Sequence, residues 1–129
     1  MTEAQANRTT IAPWIPVNDG SRAVEYYTRA FGAVERYRLD DEETGRVIVA
    51  QLAIDQAEFW VQEDPDIDQA RTGGLIRMIV TVDDPDAVFT KAISAGGTEV
   101  ATVSEDHGWR VGRFVDPFGH HWEVGRPLA

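Results

Sequence analysis

The chain of 129 residues contains no cysteine, which excludes disulfide bonds, thiolate metal sites and a cysteine nucleophile. It also lacks long apolar runs. No stretch approaches the length of a membrane span, and the first residues have no apolar core of a signal peptide. Glycine-rich phosphate loops and serine nucleophile motifs are absent as well. We therefore expect a soluble cytoplasmic protein that makes no contact with a membrane.

Basic residues are scarce in this chain. It has 12 Lys and Arg against 22 Asp and Glu, which gives a formal net charge of −10. Because phosphate binding needs a basic face, nucleic acid is not an expected partner. An acidic surface attracts cationic small molecules instead, although most of this charge is also explained by solubility alone.

The chain does contain an internal repeat. The segments WIPVNDGSRAVEYYTRAFGA, from Trp14, and MIVTVDDPDAVFTKAISAGG, from Met78, each run from an apolar strand-like stretch through a helical pattern to glycine. Apolar residues recur at helical spacing in both, at Ala23, Tyr27, Ala30 and Phe31 and at Val88, Phe89, Ala92 and Ile93. We expect Asp19 or Ser21 to cap the first helix and Asp84 to cap the second.

Three short strand candidates follow each helix. They are Val34–Leu39, Arg46–Ile54, Glu58–Gln62, Thr98–Val103, Trp109–Val115 and His120–Gly125. Asp116, Pro117 and Gly119 predict a type I turn before the last strand. Each half is thus β-α-β-β-β, and the fold class is α+β. We expect one domain over residues 8–126, with modules 8–62 and 75–126, a polar linker 63–74 and a loose tail 1–7.

Strand alternation divides these residues between two faces. One helix covers one face of each four-stranded sheet, so the two uncovered faces can form an open curved cup. Residues predicted to pack on the helices are Ile15, Val17, Met78, Val80, Val82, Trp122 and Val124. Residues predicted to face the cup are Ala12, Trp14, Pro16, Arg77, Ile79, Thr81, His121 and Glu123. Trp60 aligns with Trp122 between the halves, so we also expect Trp60 in the core.

The stretches PWIPVNDGSRAVEYYTRAFGA, VTVDDPDAVFTKAISAGG and RFVDPFGHHWEV resemble the vicinal oxygen chelate superfamily, which contains glyoxalases, bleomycin resistance proteins and extradiol dioxygenases. The phrases YYTRAFGA and DPFGHHW are similar to its PhnB-like branch. The resemblance covers residues 11–126 and implies the paired-module cup. It does not select an activity, because these relatives carry out isomerisation, ring cleavage, thiol transfer or drug sequestration on one scaffold.

The resemblance also implies where a divalent metal would be held. The expected ligand positions, on the first and last strand of each half, fall at Ala12, Val61, Arg77 and Glu123. Only Glu123 can ligate a metal, and a shift of one residue in the first half offers only Gln62. We therefore expect no metal cofactor, and we interpret His121-Trp122-Glu123 as the remnant of a metal site.

Three residues are candidates for catalysis. Arg77 is expected to pair with Glu123, either as a structural ion pair in place of the metal or as an anchor for a carboxylate or enolate oxygen of the ligand. His121 shares the face of Glu123, where it is either a general base or a polar lining residue. His120 lies on the opposite face and is expected to be structural.

Other candidates lie towards the mouth of the predicted cup. By resemblance, the loop SEDHGWR borders this mouth, so His107, Trp109 and Arg110 are positioned to touch a ligand, although an incidental histidine in a flexible loop is the alternative. Trp14 and Trp109 suit an aromatic ligand or a dimer interface. The predicted ligand-binding residues are Trp14, Arg77, His107, Trp109, His121 and Glu123.

Two functions remain open from the sequence. The first is a glyoxalase/bleomycin-resistance-like protein that sequesters a cationic or aromatic small molecule in a metal-free cup shared by the two subunits of a homodimer. The second is a lyase, isomerase or dioxygenase of the same superfamily. Such an enzyme would be metal-independent, through Arg77, His121 and Glu123, or would hold a metal through ligands that the pattern does not reveal.

Overall fold

The computed structural model describes residues 9–69 and 75–129, and the predicted β-α-β-β-β order occurs in it twice. The first module contains β1 (Trp14–Val17), α1 (Gly20–Phe31), β2 (Val34–Asp40), β3 (Val47–Ile54) and β4 (Ala57–Glu63). The second contains β5 (Arg77–Thr81), α2 (Pro85–Ser94), β6 (Thr98–Asp106), β7 (Trp109–Val115) and β8 (His121–Pro127). The predicted tail 1–7 and linker residues 70–74 lie outside the described residues. None of the described helices is long and apolar enough to cross a membrane.

Each module forms one four-stranded sheet. The strand orders are β1-β4-β3-β2 and β5-β8-β7-β6. β1 runs parallel to β4, and β5 runs parallel to β8, whereas the other neighbours are antiparallel. β1 and β5 are therefore edge strands with one side unpaired, which is where a sheet tolerates a proline such as Pro16. The predicted α+β class is confirmed.

Both helices begin at the expected aspartates. Asp19 Oδ1 accepts a hydrogen bond from Arg22 N at 3.0 Å, and Asp84 Oδ1 accepts one from Ala87 N at 3.1 Å. These bonds satisfy backbone donors that the first turn leaves free. Ser21, the alternative cap of α1, lies inside the helix. Gly32 ends α1 in the left-handed conformation, with φ of 69°.

The two modules share one hydrophobic core. Tyr27 of α1 lies 5.2 Å, ring centre to ring centre, from Phe59 of β4 and 5.7 Å from Trp122 of β8. Phe31 lies 4.8 Å from Trp122 in the same way. The Tyr26 hydroxyl, also on α1, donates to a backbone oxygen of α2 at 3.0 Å. The buried residues of both modules accordingly form a single cluster.

Asp116 is a buried carboxyl group that joins the β7–β8 connection to α1. The predicted turn is present, since Gly119 N donates to the backbone oxygen of Asp116 at 3.1 Å. Four further donors reach the side chain: Phe118 N, His120 N, the Tyr27 hydroxyl and Trp122 Nε1. A buried acceptor with this many partners holds the turn and the helix in one arrangement.

The helix-free face of each sheet is largely exposed in the single chain. Ile15, Val17, Trp122 and Val124 are buried beneath the helices, and Met78, Val80 and Val82 pack against the core, as the alternation predicts. Large apolar side chains in the opposite phase remain exposed, namely Trp14, Tyr37, Leu39, Ile79 and Trp109. The fold therefore presents two apolar surfaces that its own helices do not cover.

Candidate functional site

A cleft of about 630 Å³ lies between the free edges of β1 and β5. Trp14 and the three residues before it line one side, and Arg77 and Ile79 line the other. His120 and Trp122 also reach the cleft. Its volume falls within the range of small-molecule sites, about 300–1,000 Å³. Most of the lining is apolar, with Glu58, Arg77 and His120 as titratable groups.

Three aromatic side chains lie together beside this cleft. Trp14 of β1 and Trp60 of β4 are register partners, and their rings stack at 5.7 Å with an interplanar angle of 25°. Tyr37 of β2 lies 5.9 Å from Trp60. Trp14 Nε1 donates to Gln62 Oε1 at 2.9 Å, which holds the indole in place while 52% of the residue stays exposed. We call Trp14, Tyr37 and Trp60 the aromatic platform.

The expectation that Trp60 packs in the core is wrong. Phe59 and Val61 are the buried residues of β4, and Trp60 lies between them on the helix-free face. The alignment of Trp60 with Trp122 fails because the β3–β4 turn spans residues 55–56, whereas the β7–β8 connection spans residues 116–120. A strand shifted by one residue presents the opposite face.

The strand register identifies the true counterpart of Glu123 in the first module. Glu123 pairs with Ile79, and Trp60 pairs with Trp14, which occupies the place of Ile79 in the repeat. The expected ligand position at Val61 is therefore wrong by one residue, because Trp60 stands there. The four positions thus carry Ala12, Trp60, Arg77 and Glu123, of which only Glu123 can bind a metal.

This donor set does not fit a divalent metal, which needs three or four ligands. Within residues 9–69 and 75–129, no group of three or more His, Asp or Glu side chains lies close enough to hold one. We derive no chemistry through a metal at this position.

The predicted contact between Arg77 and Glu123 is present. Arg77 Nη1 lies 2.8 Å from Glu123 Oε1, with the side chains 42% and 22% exposed. An ion pair this accessible contributes about 0–1 kcal/mol to stability. The pair is therefore no major source of stability, and Arg77 is accessible to a molecule in the cleft that it lines.

A second guanidinium, which the sequence interpretation did not identify, lies on the same face. Arg113 of β7 is the register partner of Glu123, and Arg113 Nη2 lies 3.3 Å from His121 Nδ1. Burial, and then the positive charge of Arg113, lower the pKa of His121 below its usual value. The imidazole is therefore neutral at pH 7. We call Arg77, Arg113 and His121 the basic cluster.

The remaining predicted residues lie away from this cluster. The His107 side chain is 91% exposed in the β6–β7 turn, where Nε2 lies 3.4 Å from Asp106 Oδ2. Trp109 begins β7 opposite Pro127, far along the strand from Arg113. Arg110 is bound through Nη2 to Asp86 of α2 at 2.6 Å, so it lies on the helix side of its sheet. These residues do not line the cleft.

His120 is structural, as predicted. It is buried, and its Nε2 donates to the backbone oxygen of Pro16 at 2.6 Å. This bond ties the edge strand of the first module to the second module.

Sequence alternation alone would have identified Arg113, because it shares the phase of Trp109 on β7.

Comparison with known proteins relates this whole arrangement to one superfamily. The model of the Glyoxalase/Bleomycin resistance protein/Dioxygenase superfamily matches residues 6–124. The uncharacterized protein Rv0887c of Mycobacterium tuberculosis is 37% identical over 130 residues, which cover 92% of this chain and 74% of that protein. The uncharacterized protein Mb0911c of Mycobacterium bovis shows the same identity, with 92% and 83% covered.

Solved structures share the fold. TioX from Micromonospora sp. ML1 superposes with a TM-score of 0.73 at 26% identity, covering 94% of this chain and 100% of TioX. TnmS3, an antibiotic binding protein from Streptomyces sp. CB03234, superposes with a TM-score of 0.71 at 19% identity, covering 96% of this chain and 99% of TnmS3. The PhnB protein of Bacillus cereus gives 0.72 at 18% identity, covering 90% and 98%.

Proposed function

Because the chain belongs to the glyoxalase/bleomycin resistance protein/dioxygenase superfamily, we propose that it binds an aromatic small molecule at a metal-free site and sequesters it. One observation carries the proposal. Trp60 occupies a position at which enzymes of the superfamily hold a metal ligand, and it stacks on Trp14 instead. One of the four expected ligand positions thus contributes to an aromatic surface beside a cleft of ligand size.

The physical basis is the apolar area that the platform offers. Large flat side chains bind aromatic ligands by stacking and lose little conformational freedom on binding. The Trp14 indole is already held by Gln62, so less freedom remains to be lost. The antibiotic binding protein TnmS3, which shares the fold, supports small-molecule binding as a use of this architecture.

The charges at the site disfavour the cationic ligand that the net charge suggested. Two guanidinium groups, those of Arg77 and Arg113, lie on the helix-free face of the second sheet with Glu123 as the carboxylate between them. A cationic ligand would be repelled at short range there, whatever the acidic surface does at long range.

N-Phenyl-1-naphthylamine, an uncharged probe whose fluorescence rises in an apolar site, tests the proposal directly. We expect it to bind the wild-type protein, and Trp60→Ala and Trp14→Ala to raise its Kd about tenfold, since the loss of one stacking partner costs about 1–1.5 kcal/mol. Val100→Ala, which truncates an exposed apolar side chain on β6, is the control and should leave Kd unchanged.

An unbound probe, or equal affinity in all four proteins, would refute a ligand site on the aromatic platform. Elemental analysis of protein purified without a histidine tag tests the metal-free part separately. Stoichiometric zinc, nickel, iron or manganese would contradict it. Mass spectrometry of small molecules that co-purify with the protein would identify the ligand itself.

We also propose that the protein is a homodimer. The exposed apolar residues on the helix-free faces, including Leu39 and Ile79, support a second copy as the covering partner. Light scattering after gel filtration should give about twice the 14.3 kDa chain mass. Leu39→Glu and Ile79→Glu, which place charge on these faces, should shift the protein towards monomer, and a monomeric wild type would contradict the proposal.

Catalysis by the basic cluster is the second candidate function. A neutral His121 beside the Arg77–Glu123 pair has the protonation state that a general base requires. Incubation of the protein with its co-purified compound tests this candidate. An enzyme would convert the compound, and His121→Asn would abolish the conversion, whereas a sequestering protein would return the compound unchanged.

A further inference from the structure

Within residues 9–69 and 75–129, Arg113 is a cation without a carboxylate of its own. It lies opposite Glu123 in the β7–β8 register, but Glu123 is bound by Arg77 from the other side at 2.8 Å. Among the described residues, no carboxylate oxygen lies within 4.0 Å of the Arg113 guanidinium. Other arginines of the chain differ in this respect, since Arg46 and Arg110 each meet a carboxylate at 2.7 and 2.6 Å.

The guanidinium of Arg113 is also incompletely hydrogen-bonded. Its Nε is buried and has no hydrogen-bond partner in the described part of the chain. Among the described side chains, its Nη2 contacts the ring of His121 at 3.3 Å. A charged group removed from water without full pairing costs free energy, and a chain with a net charge of −10 has many carboxylates with which to pair it.

The nearby carboxyl of Asp116 does not fill this role. Its two oxygens accept four hydrogen bonds in the core, from Tyr27, Trp122 and two backbone groups. Asp116 itself is buried, whereas Arg113 and His121 are partly exposed on the helix-free side. Two guanidinium groups therefore share one carboxylate, and the surface between them carries excess positive charge.

We infer that Arg113, together with Arg77 and His121, forms an anion subsite that binds a carboxylate, phenolate or sulfonate group of the ligand. The inference rests on the proposed function, because it adds an anionic group to the aromatic molecule. Arg77 joins the two parts of the site, since it belongs to the basic cluster and also lines the cleft beside Trp14. Guanidinium groups suit this task because their planar donors match two oxygens at once.

A matched pair of probes separates this inference from the proposed function. 8-Anilinonaphthalene-1-sulfonate has the same aromatic system as N-phenyl-1-naphthylamine and adds one sulfonate. We expect the sulfonate probe to bind wild-type protein at least about tenfold more tightly, because it gains charged hydrogen bonds. A rising salt concentration should weaken the binding of the sulfonate probe and leave the binding of the neutral probe unaffected.

Substitutions at Arg113 then assign the effect to this residue. Arg113→Met should remove the advantage of the sulfonate probe and leave the Kd of the neutral probe within about twofold of wild type. Arg113→Lys keeps the charge but not the planar donors. Its advantage for the sulfonate probe should therefore lie between those of wild type and Arg113→Met. Arg29→Met removes one exposed charge on α1 and is the control for net charge, with no expected effect on either probe.

The outcomes are distinct. Equal affinity of the two probes for wild-type protein, or equal losses for both probes in Arg113→Met, would overturn the anion subsite while leaving aromatic binding in place. Failure of both probes to bind would overturn the subsite and the proposed function together. Thermal unfolding of each variant verifies that it is folded. If Arg113→Met is not folded, Arg113→Lys provides the decisive comparison.

Discussion

At the scale of single residues, Tyr27 and Asp116 join the two modules. The Tyr27 hydroxyl is fully buried and donates to Asp116, which also receives Trp122 Nε1 at 2.8 Å. Burial, and then the negative charge of Asp116, raise the pKa of Tyr27 well above its ordinary value of 10.0. The phenol therefore remains a hydrogen-bond donor through the neutral and alkaline range.

Tyr27→Phe should lower the free energy of unfolding by about 1–3 kcal/mol, because a buried acceptor loses one of its donors. The ring and its core contacts are kept, so packing should change little. Urea denaturation measures the effect. Tyr37→Phe, at an exposed tyrosine on β2, is the control and should change stability by less than about 0.5 kcal/mol. Equal effects of the two substitutions would contradict this account.

The raised pKa of Tyr27 also predicts how stability depends on pH. A phenol whose pKa is higher in the folded state stabilises the fold below the unfolded value of 10.0, and this contribution is lost as the pH rises above it. The urea midpoint should therefore fall as the pH rises above about 10. Tyr27→Phe should show a shallower fall, although buried Tyr26, whose pKa is raised in the same direction, still contributes. A urea midpoint that does not depend on pH would contradict a raised pKa of Tyr27.

Strand alternation placed Arg77 and Glu123 on the cup face of the candidate site. The family resemblance implied that these two residues meet, and their contact is confirmed. Trp60 was assigned to the wrong face because the two modules turn between their last strands over different lengths. The contact of Arg113 with His121 depends on where two side chains end, which strand phase does not specify.

At the scale of secondary-structure elements, α1 begins at Gly20, where the backbone of β3 leaves no room for a side chain. A Cβ atom added to Gly20 would lie 2.3 Å from the backbone oxygen of Val47 on β3. Gly20 N also donates to Glu63 Oε1 of β4 at 3.0 Å, and Arg46 holds that carboxylate at 2.7 Å. The first residue of the helix is therefore set close against its own sheet.

Gly20→Ala should destabilise the protein by about 1–3 kcal/mol, because the overlap with β3 exceeds the gain in helix propensity. Propensity alone would predict the opposite sign. Thr28→Ala, on the exposed side of the same helix, should be neutral or slightly stabilising. Thermal denaturation followed by circular dichroism at the helix wavelength compares the two, and a stabilised Gly20→Ala would disprove the close approach.

Element order was predictable because each signal is local. Both aspartate caps, the terminal glycine of α1 and the turn at Asp116 lie where the sequence predicts them. Strand ends were less well predicted. β6 extends to Asp106 rather than Val103, since its pairing with β7 continues to the turn at His107. Pairing across a sheet decides such ends, and the partner strand is not part of the local pattern.

At the scale of the whole molecule, the two modules are one cooperative unit. Phe59 of the first module lies 5.6 Å from Trp122 of the second, and Tyr27 contacts both. His120 adds a bond to Pro16 across the modules. Neither module can lose its core without exposing apolar side chains of the other.

Unfolding should therefore be a single transition, with coincident midpoints from tryptophan fluorescence and far-ultraviolet circular dichroism. Phe59→Ala, in the first module, should lower both midpoints together and cost about 3–5 kcal/mol. Val100→Ala, at an exposed position of the second module, should leave them unchanged. Two separate transitions in either protein would show that the modules fold independently.

The sequence by itself determined the doubled β-α-β-β-β order, the helix caps and the face of most strand residues. These features follow from composition, from periodicity and from chemistry that each residue carries anywhere. The tertiary structure decided that Trp60 stacks on Trp14, that Arg113 meets His121, and that a cleft separates β1 from β5. Those features depend on turn lengths, strand register and contacts between residues far apart in the chain, which local patterns do not encode.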